Sequence, residues 1–284
     1  MLRIPGREKM IMTRFVKILG VLAVLAMIVS LSLPAQAPQK KHILFLGGSA
    51  YYAHDAVSRA MYTMQKLGDE SGLFDVRFHT DVELLTKQPL KGNKKNLDYF
   101  DALFFYTQGD IPMTDQQKAD VMAFVHEDGK GVIAAHAGTD SFRESWPEYV
   151  EMVGGAFLNH PWHTKVKINV EDRQFPATKH FPPSFEISDE IYQLNRYSRD
   201  KVRVLMSLDV NSVDMKAKGV DRTDGDFAIT WVKQFGKGRV FSSVLGHDLD
   251  VWDRPDVQKM WLEGIRWALG MTDGATASLP KPGK

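Results

Sequence analysis

Five of the nine histidines, His54, His136, His160, His163 and His247, fall at turns or at the ends of apolar runs. An imidazole changes charge near neutral pH, so a pair of histidines can pass a proton to and from a substrate. His136 and His247 are the leading pair, each closing an apolar run, with Asp140 or Asp250 close enough in sequence to fix a tautomer. Gly48, Gln108 and Asp110 end two other runs and are candidate substrate contacts, together with His54 and His160. Trp162, Trp252, Tyr51 and Tyr52 offer flat faces for the C–H groups of a sugar. His54, His136, His160 and His247 with a carboxylate form an alternative set that can hold a divalent metal such as zinc. No His-x-x-x-His spacing supports it and His160-x-x-His163 is too sparse a signal, so the acid–base reading needs no cofactor. His42, His79, His126 and His180 are read as incidental.

These residues gain a common location only if the runs they close are parallel strands. Gly131-Val132-Ile133-Ala134-Ala135 is uncharged and short, which suits a strand buried on both faces, and His136 follows at its carboxyl end. Ligands of open α/β sheets sit at that edge, and His136 takes the place where a nucleophile elbow carries Ser or Cys. His42-Ile43-Leu44-Phe45-Leu46, running into Gly47-Gly48-Ser49, is a first strand whose glycines let backbone approach a ligand. Residues 74–80 and 99–107 predict two more strands, and residues 239–245 a last one before Gly246-His247-Asp248. Val57, Met61, Met64 and Leu67 mark a helix after the first strand. Thr114-Asp115-Gln116-Gln117 is a capping box opening another, which Gly129 stops. Val257, Trp261, Ile265 and Leu269 stripe a closing helix that starts at Pro255. The β-α-β alternation predicts a three-layer α/β fold, a mainly parallel central sheet with helices on both faces. Residues 145–153 predict a short helix broken by Gly154-Gly155, with Asn159-His160-Pro161-Trp162-His163 on the loop beyond. From there to residue 232 the alternating runs predict an antiparallel extension rather than a second domain.

The chain has 284 residues, no cysteine and a formal charge of +1. Disulfides, thiolate metal sites and cysteine nucleophiles are thereby excluded. Arg14 and Lys17 precede an apolar stretch at 18–33 and the sequence Pro34-Ala35-Gln36-Ala37, the pattern of an export signal. Pro38 disfavours a cut after Ala37, which leaves Ala35 as the alternative. Met10 or Met12 would serve as a start equally well, since residues 1–9 add nothing a signal needs. Without the first 37 residues, 31 basic and 34 acidic residues remain, which gives no field for nucleic acid. The expected organisation is a signal peptide at 1–37, one domain at 38–271 and a disordered tail at 272–284. The expected location is the periplasm or the exterior, with no stable membrane insertion once the signal is removed and an uncleaved anchor as the lesser option.

Several motifs together resemble the trehalose-utilisation (ThuA-like) family of the class I glutamine-amidotransferase-like superfamily. They are residues 131–140, Gly154-Gly155 with His160-Pro161-Trp162, and Glu171-Asp172 through Pro176-Ala177-Thr178. Phe185-Glu186-Ile187, Asp189-Glu190-Ile191-Tyr192, Ser207-Leu208-Asp209 and Asp224-Gly225-Asp226 continue the pattern. Gly236-Lys237-Gly238-Arg239-Val240, Leu245-Gly246-His247 and Gly264-Ile265-Arg266-Trp267-Ala268 complete it. In the amidotransferases the elbow residue is a cysteine and a later strand-end histidine is its base. His136 at the elbow therefore implies loss of glutaminase chemistry. The resemblance further implies carbohydrate utilisation, beside oxidoreductases that make 3-keto sugars. Two classes of function follow: an enzyme acting on a sugar or keto-sugar by histidine acid–base chemistry, and a non-catalytic sugar- or partner-binding protein. A metal-dependent sugar hydrolase or isomerase is a third reading. A small carbohydrate is the expected partner in each.

Overall fold

The computed structural model describes residues 39–281, so the export-signal pattern at 1–37 lies outside the described residues. Five strands are parallel: β1 (Lys41–Leu46), β2 (Phe74–His79), β3 (Ala102–Phe105), β4 (Gly131–Ala135) and β9 (Gly238–Ser243). They lie in the order β2-β1-β3-β4-β9, the order of flavodoxin-like sheets. The sheet then continues antiparallel through β8 (Ala228–Phe235), β7 (Arg203–Leu208), β5 (Ala156–Val170) and β6 (Ser184–Asn195). The α/β class, parallel core and antiparallel extension expected from the sequence are all present.

Alternation along the parallel strands builds the two outer layers. Ile43, Phe45, Phe104, Ile133 and Phe241 point to the side covered by α1 (Ala56–Ser71) and α5 (Pro255–Ala268), with Trp261 and Ile265 of α5 fully buried there. Leu44, Leu46, Leu103, Val132 and Val240 point to the opposite side, beneath α2 (Asp115–His126) and α3 (Pro147–Val153). The capping box is formed: Gln117 N–H donates to Thr114 Oγ1, and the Gln117 side chain accepts from Thr114 N. Gly236 turns β8 into β9 at φ 58°, where a Cβ would stand 2.4 Å from the His126 ring, so the turn admits glycine alone.

The structure differs from expectation in three places. β5 starts at Ala156, so His160 and His163 lie on a strand rather than a loop. The two short runs near 185 and 190 are one continuous strand, β6. Residues 272–281, expected to be disordered, make defined contacts: Arg239 donates to Thr272 O, Arg203 to Ala277 O, and Lys281 to Asp224 O.

Candidate functional site

The carboxyl ends of β1, β3, β4 and β9 lie along one edge, and the bulged β5–β6 hairpin reaches back over it. His136 follows β4 directly at φ 43°, a left-handed backbone that costs a non-glycine residue roughly 1–3 kcal/mol. Its Nδ1 lies 2.7 Å from Val244 O, so that nitrogen carries the proton and donates it. Nε2 is thereby left as an acceptor, and the Tyr192 hydroxyl donates to it at 2.7 Å. His247 Nδ1 stands 3.2 Å from the same Nε2. Val244, not Asp140 or Asp250, therefore fixes the tautomer of His136. Asp140 is taken up by Gln108 Nε2 (2.8 Å) and Arg143 Nε (2.8 Å), and Asp250 is exposed on α4 (Leu249–Asp253).

Glu190 of β6 is the hub. Its Oε2 lies 3.2 Å from His247 Nδ1 and 3.6 Å from His136 Nε2, and its Oε1 lies 3.2 Å from His160 Nδ1. Burial alone would raise this carboxyl, but the hydrogen bond and charge of His247 outweigh it and hold Glu190 below the usual range. The same hydrogen bond, donated by His247 and accepted by Glu190, raises His247. His54 meets the rings of His136 and His247 edge-on, and burial, reinforced by those two imidazoles, pushes it down to about 3. Asp189, fully buried next to Glu190, accepts from the backbone N–H of Gly246 (2.7 Å) and Asp248 (3.1 Å) and so fixes the loop that carries His247. Farther out, Asp248 accepts from His163 Nε2 at 2.9 Å, and the His163 ring centre is 5.0 Å from that of His247.

A cavity of about 630 Å³ opens over these groups. His54, His160, His163, Glu190, Tyr192, His247, Gln108 and Asp140 line it with polar groups, and Tyr51, Tyr52 and Phe157 with aromatic ones. His136 is completely buried and does not line the cavity, so the expected pairing of His136 and His247 across a bound sugar is corrected. Only His247 reaches the cavity; His136 touches it through His247, Glu190 and Tyr192. Trp162 and Trp252 are buried too. Trp162 donates to Asp214 O and packs on Phe227, whereas Trp252 donates to Gly246 O and stacks on Trp261, so neither faces a ligand. At the cavity the exposed aromatic faces are those of Tyr51 and Tyr52. Asp110 lies outside, accepting from Ser145 Oγ. Gly48 borders an adjoining cleft, but a Cβ there would stand 2.3 Å from Thr80 O, so backbone packing already requires the glycine.

Glu190, Tyr192, Phe157 and Asp189 were not among the site residues expected from the sequence, although Asp189-Glu190-Ile191-Tyr192 carries part of the family resemblance. Glu190 and Tyr192 are two apart on β6 and so share a face, but Asp189 and Ile191 on the other face are buried as well, which removes the usual alternation signal. Among the described residues, two groups of side chains bring ligand atoms within 4.8 Å of one another, as a metal site would need: His54, His136 and His247, and His163, Glu190 and His247.

The fold is shared with solved structures. A ThuA-like protein from Bacteroides uniformis superposes with a TM-score of 0.66 at 23% identity, over 84% of this chain and 94% of that one. One from Parabacteroides merdae gives 0.64 at 18% identity, over 86% and 94%. No curated protein matches the sequence. The family model for ThuA, trehalose utilisation, matches residues 42–268, almost the whole described domain, and the chain belongs to that family.

Proposed function

We propose that this protein is an exported enzyme that acts on a sugar or 3-keto-sugar derivative by histidine acid–base chemistry in the 630 Å³ cavity. The observation that carries the reading is the assembly of Glu190, His247, His160 and His163 in one cavity wall beside exposed aromatic faces. A keto group acidifies the neighbouring C–H, so isomerisation or elimination needs a positive pole at the carbonyl oxygen and a base at the adjacent carbon. His247, whose proton Glu190 holds, supplies the positive pole, and Tyr192 is a neutral hydroxyl beside it. The His163–Asp248 pair is the base. Its ring centre lies 5.0 Å from that of His247, a spacing that suits adjacent atoms of one sugar ring. His136 acts as a positioning residue behind His247. Tyr51 and Tyr52 fit the apolar faces of sugars, and family membership supports a carbohydrate substrate. Glutaminase chemistry has no nucleophile here, since the chain has no cysteine and the elbow carries a histidine.

The test is incubation of the purified protein with a panel of 3-keto-disaccharides and their parent sugars, followed by NMR. Isomerised or eliminated product from the keto forms is the expected result. Tight binding of the sugars without any product would instead make this a binding protein.

A further inference from the structure

The three deepest imidazoles of the cluster form a nearly equilateral triangle. Ring centres are 5.0 Å apart for His54 and His136, 5.2 Å for His54 and His247, and 5.2 Å for His136 and His247, and each pair meets edge-on. Zinc bound at about 2.0–2.1 Å by imidazole nitrogens in tetrahedral array sets donor atoms about 3.3 Å apart and ring centres about 5.2 Å apart. The donor atoms of the three histidines lie within 4.8 Å of one another. His136 Nε2 and His247 Nδ1 are 3.2 Å apart, and Glu190 Oε2 lies 3.6 Å from the first and 3.2 Å from the second.

We propose that His54, His136, His247 and Glu190 form a binding site for a divalent transition metal of the zinc class at the base of the cavity. The outer contacts are those such ligands require. His136 donates its other N–H to Val244 O, which turns Nε2 toward the centre, and His160 holds the second oxygen of Glu190. Three nitrogens and one carboxylate oxygen suit zinc, cobalt or iron rather than magnesium or calcium. Loading requires the Tyr192 hydroxyl to release His136 Nε2, which frees that phenol to donate to an oxygen bound at the metal. The inference rests on the preceding reading for its consequence: the metal, expanding to five-coordination to take the sugar carbonyl oxygen, would replace the His247 imidazolium as the positive pole. His163 and Asp248 remain the base.

The experiment uses untagged full-domain protein, stripped with a chelator, dialysed against zinc and analysed by inductively coupled plasma mass spectrometry. One zinc per chain is expected. Cobalt loading should give the intense visible bands of a tetrahedral site. His54→Ala and Glu190→Gln should each weaken zinc binding by about 100-fold or more, while His180→Ala leaves it unchanged. His54 lies outside the strands, so its variant tests the site even if His136→Ala fails to fold. Protein that keeps no zinc, or that binds it equally well without His54 and Glu190, overturns the inference. Keto-sugar turnover at the same rate in stripped protein overturns the metal's role and leaves the proposed function standing. Stoichiometric zinc with no turnover of any sugar does the reverse.

Discussion

Replacing Glu190 by glutamine tests the electrostatics of the cluster most sharply. The amide keeps the shape and removes the charge that faces His247 at 3.2 Å. His247 should lose its chief reason for holding a proton, so its titration moves down. The stability effect carries a sign that depends on pH. Glu190 is held low in the folded protein, so its contribution is present above the unfolded glutamate value of about 4.3 and is lost as pH falls through the folded value. His247 is held high, so its contribution is full below the unfolded histidine value of about 6.5 and is lost as pH rises through the folded value. The pair therefore stabilises most between about pH 4.3 and 6.5. His160 is half exposed and adds little. One charged hydrogen bond in a largely buried setting is worth about 1.5–3 kcal/mol, so Glu190→Gln should cost roughly 2 kcal/mol near pH 5.5. The cost should fall below about 1 kcal/mol near pH 9. Urea unfolding of metal-stripped protein at both pH values measures it. An equal cost at both, or a larger one at pH 9, would refute the assignment of the charged pair.

Three further outcomes follow from the same reasoning. Protein isolated from its native cell should begin between residues 36 and 40 by mass spectrometry, and an intact Met-Thr-Arg-Phe start on soluble cytoplasmic protein would contradict export. Ammonia release from glutamine should not exceed background, because the chain has no cysteine; release that disappears in His136→Ala would contradict this. Gly48→Ala should destabilise by about 1–3 kcal/mol through the clash with Thr80 O, read as a lower thermal midpoint, and an unchanged midpoint would show that the β1 turn has room to shift.

The parallel core is legible in the sequence because β1, β3 and β4 are short uninterrupted apolar runs, buried on both faces and ending in glycine, glutamine or histidine. The strand-edge rule then places Gln108, His136 and His247 correctly along one border. It says nothing of depth. His136 sits a layer below the cavity because its left-handed backbone turns the ring inward to Val244 O, and no residue type encodes that turn. The β5–β6 hairpin is the larger omission. Its polar residues Asn159, His160 and His163 read as a loop, yet Asn159 and His163 pair with β6 and His160 sits in the second of two register shifts. Those irregularities carry Glu190 and Tyr192 over the sheet edge, a long-range placement that local patterning cannot anticipate. The tryptophans mislead for a related reason: Trp162 and Trp252 meet their N–H requirement on backbone carbonyls and serve the core.

The central claim is that the His163–Asp248 pair and the His247 centre move a proton next to a sugar carbonyl. Solvent-deuterium exchange into a 3-keto-disaccharide, followed by proton NMR for the wild type and His163→Ala in parallel, tests it directly. His163 is half exposed, so its removal should leave the unfolding midpoint nearly unchanged. The exchange rate should fall by about 10²–10⁴-fold, the usual worth of a general base. Exchange at the wild-type rate in a folded His163→Ala variant would contradict the account.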